Sequence, residues 1–427
     1  MTAPLHPDAA AWTATVDSAE HGTLQIAGRC HPAYEAVARA FAANFAQRDE
    51  VGASVALVQD GRLVVDLWGG LAVRAGGDSP ARAWAEDTVS VIFSATKGAT
   101  AIALHLAAAR GLLDLDQKVV EIWPEFAGRA PDPGPKRDAT VRMILDHSIG
   151  LPVLTAPLKA DCVTDYPYMI ARIEEEAPLW QPGTRTGYHP ITMGFMAAEV
   201  LRRVDGRSLG RFFAEEIAGP LGLDFWIGLP ESVEPRVAPV IVRRAQRGAD
   251  LTPFLAAAKQ PGTIQHLFVF NNGTYSSRGA NTREGHAAEI GAAGGITNAR
   301  ALASLYAATL PGATLGFDAD TVAGFAEASS ATQIDATLLQ PTRFGPGFML
   351  RMDNRRRPQP ADSVIIGHRA YGHVGAGGSI GFADPDRGLA FGYTMTKLGA
   401  GLLLNARGQA LVDAGAAVAG GTQLDAP

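Results

Sequence analysis

The chain has little of what builds stapled or metal-stitched folds. Its 427 residues include two cysteines, Cys30 and Cys162, far apart and without a Cys or His at ligand spacing. That excludes a disulfide framework and a zinc site. Charge is also sparse, at 19% of residues, with a formal net charge of -6. A mildly acidic balance excludes nucleic acid or an anionic membrane surface as the main partner. No apolar run reaches the roughly 18 residues that a membrane span requires. The longest, at 99–109 and 402–418, are Ala-rich and broken by His, Arg, Asn or Asp. The opening MTAPLHPDAAAW lacks the basic and apolar regions of a secretory signal, so a cytoplasmic location is expected. With no P-loop and no HExxH, no nucleotide, metal or other cofactor is expected.

What is present suits one large globular domain or two lobes: 47% of residues are hydrophobic, enough for a sizeable core. Tyr34, Val37, Phe41 and Phe45 recur at helical spacing and predict an amphipathic helix over 31–47. GASVALVQ, the pair Asp60-Gly61 and RLVVDLWGG predict a hairpin. A second hairpin is expected from GSIGFA, a turn at DPDRG, and LAFGYTMT, followed by a closing helix over 401–418. The middle reads as helices separated by Pro/Gly-punctuated loops. The expected class is α/β (α+β). Residues 1–93 and 306–427 would form a largely antiparallel sheet lobe flanked by helices, with 94–305 an inserted, mainly helical lobe and the site in the cleft between. The runs Glu174-Glu175-Glu176 and Arg355-Arg356-Arg357 read as solvated surface.

Two serine motifs compete. Gly377-Gly378-Ser379-Ile380-Gly381 fits G-x-S-x-G, but that motif needs a strand-turn-helix and a later histidine. Ser379 instead leads into a hairpin, and the last histidine is His373. Ser94-Ala95-Thr96-Lys97 opens an Ala-rich helical run. An i, i+3 spacing there puts hydroxyl and ammonium on one face, beside the N–H groups of a helix N-terminus. That favours loss of the serine proton and stabilises an oxyanion. No other serine has Lys three residues later, and lysine is scarce throughout.

Downstream lie Asp146-His147-Ser148, Trp180-Gln181-Pro182-Gly183, Tyr188-His189-Pro190 and Tyr371-Gly372-His373-Val374-Gly375-Ala376-Gly377-Gly378-Ser379. With PLWQPGTRTGYHPITMGF, PLGLDFWIGLP and VVDLWGG, this set resembles the serine β-lactamase and penicillin-binding-protein superfamily. It is most similar to class-C-type esterases, the family VIII carboxylesterases, from about Tyr34 to the C-terminal helix. The resemblance implies a β-lactamase/transpeptidase-like fold and a small-molecule ester as substrate.

It also implies roles. Ser94 would be the nucleophile, with Lys97 and Tyr188 the acid/base pair; which of the two is the base stays open. His373-Val374-Gly375 would be the third motif, and the N–H groups of Ala376 and Ser94 the oxyanion hole. Gly375, Gly377 and Gly378 would leave room for substrate. Trp180 and His189 are further candidates, His189 for orienting the Tyr188 loop, and His147 supports a turn. Two departures favour uncharged esters over β-lactams. Pro190 stands where the family carries Asn, and His373, a weaker carboxylate anchor, stands where it carries Lys. Tyr166, Tyr168, Trp180, Trp226, Phe268 and Phe270 are candidates for the cleft wall. An acyltransferase, an amidase or β-lactamase, and a noncatalytic penicillin-binding protein are the alternatives.

Overall fold

The structure, a computed structural model, describes residues 2–76, 80–128, 134–242, 252–272, 275, 278–357 and 361–420. Its largest element is an antiparallel sheet built from both halves of the chain. The strands are β1 (Ala10–Ser18), β2 (Gly22–Cys30), β3 (Gly52–Gln59), β4 (Arg62–Val73), β5 (Ser330–Thr332), β6 (Thr342–Phe344), β7 (Met349–Leu350), β8 (Tyr371–Val374), β9 (Ile380–Asp384) and β10 (Leu389–Met395). They run in the order β1-β2-β4-β3-β10-β9-β8-β7-β6-β5, with the short strand Arg82–Ala83 on β4. The hairpin turn between β3 and β4 has φ of 47° at Asp60 and 75° at Gly61. Positive φ at both central residues is what a two-residue turn needs to match strand twist.

Strand β3 is buried on both faces, and its alternation divides the core. Val55 and Leu57 face a cluster that includes Val37 and Phe41 of helix α1 (Glu35–Gln47) and Leu411 of the last helix. Ala56 and Val58 face the opposite cluster, which holds α2 (Thr96–Ala109) and α3 (Thr192–Asp205). Later helices include α4 (Ile264–Phe270) and α5 (Ala299–Ala307). Helix α5 lies directly on the sheet, where β9 and β10 carry glycine. A Cβ on Gly392 would meet the Ala299 carbonyl oxygen at 2.3 Å, and one on Gly381 would meet Leu302 at 2.8 Å. The 305/306 division drawn from sequence falls inside this helix.

Four other features depart from the sequence reading. The β1–β2 hairpin was not anticipated, because its alternation exposes most of β1. A second, four-stranded sheet joins Phe225–Ile227, Gly295–Thr297, Val89–Val91 and Val237–Ala238 in the middle of the chain. The closing helix α6 (Ala406–Gly420) starts at 406 rather than 401, since Asn405 Oδ1 accepts from the N–H groups of Arg407 and Gly408 and sets the start there. Glu174 and Glu176 are not merely solvated. Glu174 accepts from Trp123 Nε1 at 2.8 Å, and buried Glu176 holds the N–H and hydroxyl of Thr155.

One buried ion pair ties α1, β10 and α6 together. Glu50, fully buried just after α1, accepts from Arg407 Nη1 at 2.8 Å and from the Tyr393 hydroxyl. Burial pushes its carboxyl toward the neutral form, and Arg407 opposes that. Replacing Arg407 by Met leaves the carboxylate unpaired, an expected loss of about 3–5 kcal/mol in urea unfolding. A change within about 0.5 kcal/mol, as at an ordinary surface site, would show that the pair is not what holds these elements.

Candidate active site

The strand Val89–Val91 feeds a sharp turn into α2, and Ser94 sits on it. Phe93 takes a φ of 45°, a left-handed conformation that costs a non-glycine residue roughly 1–2 kcal/mol. Neighbours hold it there. Its buried ring meets Tyr275 edge-on at 6.4 Å, and its carbonyl accepts from Thr96 Oγ1 at 2.6 Å. Ser94 therefore belongs to a 3-10 turn, Phe93–Ala95, immediately before α2. It does not cap the helix.

Lys97 lies one turn further on and is completely buried. Its Nζ is 3.2 Å from Ser94 Oγ, 2.8 Å from the carbonyl oxygen of Pro190 and 3.0 Å from that of Ala292. Burial holds its pKa well below the ordinary lysine value. In the amine form, two N–H groups suit the two carbonyls, and the lone pair is left for the serine O–H. The nitrogen also lies 4.8 Å from the centre of the Tyr188 ring.

Tyr188 is buried, with Ser94 within hydrogen-bond reach of its hydroxyl. Burial raises its pKa above the ordinary phenol value; the bond to Ser94 opposes this, and Asp335 adds to it. Its backbone N–H donates to the Asp335 carboxylate at 3.0 and 3.1 Å. Fully buried Asp335 also accepts from the N–H groups of Thr337 and Leu338 and from the Thr342 hydroxyl. No motif pointed to Asp335, and a lone aspartate in ATQIDATLLQ carries no readable signal.

The other residues expected near Tyr188 support it from behind. His147, at φ of 66°, accepts from the N–H of His189 at 3.1 Å. His189 Nε2 accepts from the N–H of Leu151 at 3.0 Å. Trp180 donates to the Ser148 carbonyl at 3.1 Å, and its ring fills the space where a Cβ on Gly187 would stand. His189 and Trp180 thus pack the loop and make no hydrogen bond to Ser94.

The third motif closes the site from the sheet. His373 on β8 is buried, and its Nδ1 donates to the Val374 carbonyl at 2.8 Å. Burial first, and then Lys97 whenever it is protonated, push its pKa down to about 3, so the ring is neutral at working pH. It lies 6.1 Å from the Tyr188 ring, and among the described residues its Nε2 has no hydrogen-bond partner. In the turn that follows, Gly375 donates to Ser379 and Gly378 to Gly375, while the N–H of exposed Ala376 takes no part.

At the glycines here the protein itself takes the space that a side chain would need. A Cβ on Gly375 would strike the Ile92 carbonyl, one on Gly377 would strike Leu398, and one on Gly378 Asn405. Ser379 is fully buried and donates to the Ile92 carbonyl at 2.8 Å, fastening this turn to the Ser94 turn. Of the six aromatic candidates, Phe268 lines a cavity beside Pro190. Tyr166 is bound to Glu199, Tyr168 lies under Lys159, Trp226 stacks on Arg236 and Phe270 is 67% exposed.

Comparison with known proteins agrees with this geometry. The beta-lactamase family model matches residues 37–415, from the first helix to the last. An esterase/beta-lactamase, LipL, of Mycobacterium tuberculosis is 32% identical over 385 residues, 88% of this chain and 83% of that protein. A penicillin-binding-protein homolog from Caulobacter crescentus superposes with a TM-score of 0.76 at 33% identity, covering 92% of this chain and 99% of the other. A family VIII carboxylesterase gives 0.75 at 34% identity, with the same coverage. No helix among the described residues is long and apolar enough to cross a membrane. A family match over most of the chain, on a sheet-and-helix frame shared with these solved structures, makes this chain a member of the beta-lactamase family.

Proposed function

We propose that the protein is a carboxylesterase that cleaves small, uncharged esters through an acyl-enzyme on Ser94. The observation that carries this is Lys97, buried with two carbonyls on its nitrogen and Ser94 in its third direction. The amine of Lys97 takes the serine proton as Oγ bonds to the ester carbonyl carbon. The N–H groups of Ser94 and Ala376 receive the oxyanion. As the C–O bond breaks, Tyr188, kept protonated by its raised pKa, gives its proton to the leaving alcohol. The proton on Lys97 then passes to the phenolate, which restores both groups. Water repeats the sequence on the acyl-enzyme and releases the acid.

Burial favours Lys97 over Tyr188 as the base, because it pushes the amine toward its neutral form and the phenol toward its own. Neutral His373 offers no cation to a substrate carboxylate, and Pro190 no side-chain amide. Both features support esters over β-lactams, in line with the family VIII carboxylesterase among the solved relatives. A serine with both a buried lysine nitrogen and a tyrosine hydroxyl in reach is more than a noncatalytic binder requires.

Hydrolysis of p-nitrophenyl acetate and butyrate tests the reading: Ser94→Ala is expected to lower kcat/KM by about 10⁴-fold or more. Retained activity would remove Ser94 as the nucleophile. The pH profile tests the base. Protonation inactivates Lys97, so kcat/KM should fall as pH drops through its lowered pKa, with the acid limb well below the ordinary lysine value. A rate that rises only near that ordinary value would assign the limb to another group. His373, neutral down to about pH 3, contributes no limb in the neutral range.

A further inference from the structure

Tyr188 lies on the loop ahead of α3, and the segment that grips it, between β5 and β6, comes 147 residues later in the chain. The grip runs along the whole residue. The Ala336 N–H donates to the carbonyl of Thr186, two residues before the tyrosine, at 3.0 Å. Asp335 takes the N–H of Tyr188 itself between its two carboxylate oxygens, at 3.0 and 3.1 Å. Phe344 of β6 stacks on the tyrosine ring, with centres 6.0 Å apart and planes 15° from parallel.

The gripping segment is fixed in its own right. The main chain of Asp335 donates to the Gln340 carbonyl and accepts from the Leu339 N–H, both at 3.0 Å, around a left-handed Leu339 with φ of 55°. The Asp335 carboxylate accepts from the N–H groups of Thr337 at 2.8 Å and Leu338 at 2.9 Å, and from the Thr342 hydroxyl at 3.0 Å. Gln265 of α4 donates to the carbonyls of Ala336 and Thr337, each at 2.8 Å. The carboxylate is fully buried, and among the described residues no cation pairs with it. A buried carboxylate is costly unless donors replace its water. Here the donors belong to its own segment and to Tyr188, so the group that stabilises the turn is also the one that holds the tyrosine.

We propose that Asp335 is a positioning residue for Tyr188, fixing its main chain so that the hydroxyl meets the oxygen of the leaving alcohol. Asp335 bonds the backbone end of the tyrosine, while Ser94 lies within reach of the hydroxyl end. A shift at the backbone therefore carries through a rigid ring to the proton-transfer distance, where about 1 Å costs about 100-fold in rate. The inference rests on the esterase reading above, in which Tyr188 is the acid. That role dictates where the effect falls. Ethoxide needs a proton in order to leave, whereas p-nitrophenolate departs as a stable anion. A displaced Tyr188 thus harms alkyl esters and spares p-nitrophenyl esters, while a mere loss of folded protein lowers both alike.

The test measures kcat/KM for ethyl butyrate and p-nitrophenyl butyrate, two esters of one acid, and follows the ratio between them. Tyr188→Phe should lower the ethyl ester about 10²–10⁴-fold relative to the p-nitrophenyl ester. Asp335→Ala should lower it about 100-fold on the same scale. Should that variant not fold, Asp335→Asn keeps one oxygen for Thr337 and Leu338 but turns an amide N–H against that of Tyr188, and should move the ratio about tenfold the same way. In the Tyr188→Phe background, Asp335→Ala should leave the ratio within about twofold, because the two residues act as one unit. Equal losses for both esters in the folded Asp335 variant, or a second full loss in the double variant, would overturn the proposal. An unchanged ratio in Tyr188→Phe itself would overturn the acid role and the positioning together. Turnover that survives in Ser94→Ala would sink the esterase reading at its nucleophile, so the failures are distinct.

Discussion

A single desolvated lysine sets the terms for the rest of the site. Stripping Lys97 of water would be costly for an ammonium, so the group is driven toward the amine. Even the amine needs acceptors, and the two carbonyls that serve it come from Pro190 and Ala292, 93 and 195 residues away in the chain. Those segments must therefore arrive together against α2. The helix allows this through small residues. Gly98 sits where a Cβ would collide with the Tyr306 hydroxyl at 2.0 Å, and Gly194 of α3 lies against the Gly291-Ala292 backbone.

Around this lysine the groups are held in layers. Tyr188 is fixed by its backbone, through Asp335, while His147, His189 and Trp180 pack the loop from behind. The Ser94 turn is held by Thr96 on one side and by Ser379 on the other. These positions are thus fixed by hydrogen bonds to the main chain of packed neighbours, which is what the proposed acid–base and oxyanion chemistry would require.

Much of this was legible in the sequence, for reasons that also mark the limits. The central hairpins announced themselves through alternation and, for the first, an Asp-Gly turn, since both are local properties. Ser94 and Lys97 could be paired because their spacing is short and lysine is rare. The four-stranded sheet that launches the Ser94 turn was invisible, because strands of two or three residues show no periodicity. Asp335 and the Ala292 carbonyl were invisible for another reason: their role depends on partners more than a hundred residues away. Gly375, Gly377 and Gly378 were recognised as special, but sequence tells that space is needed and not which protein groups crowd it. Glu176 went the same way, its acidic neighbours disguising a buried acceptor.

The pairing of β3 with β10 has a consequence for how the protein is made. Ser54 meets Thr394 across this pair, 340 residues later in the chain. At about 5–20 residues per second, β3 waits roughly 20–70 s for its neighbour to be synthesised. Until then one edge of an almost wholly buried strand stays unpaired, the kind of surface that seeds aggregation. The sheet is thus completed late in synthesis, and the protein has a long interval in which a chaperone or a slow, cool expression regime decides how much of it survives.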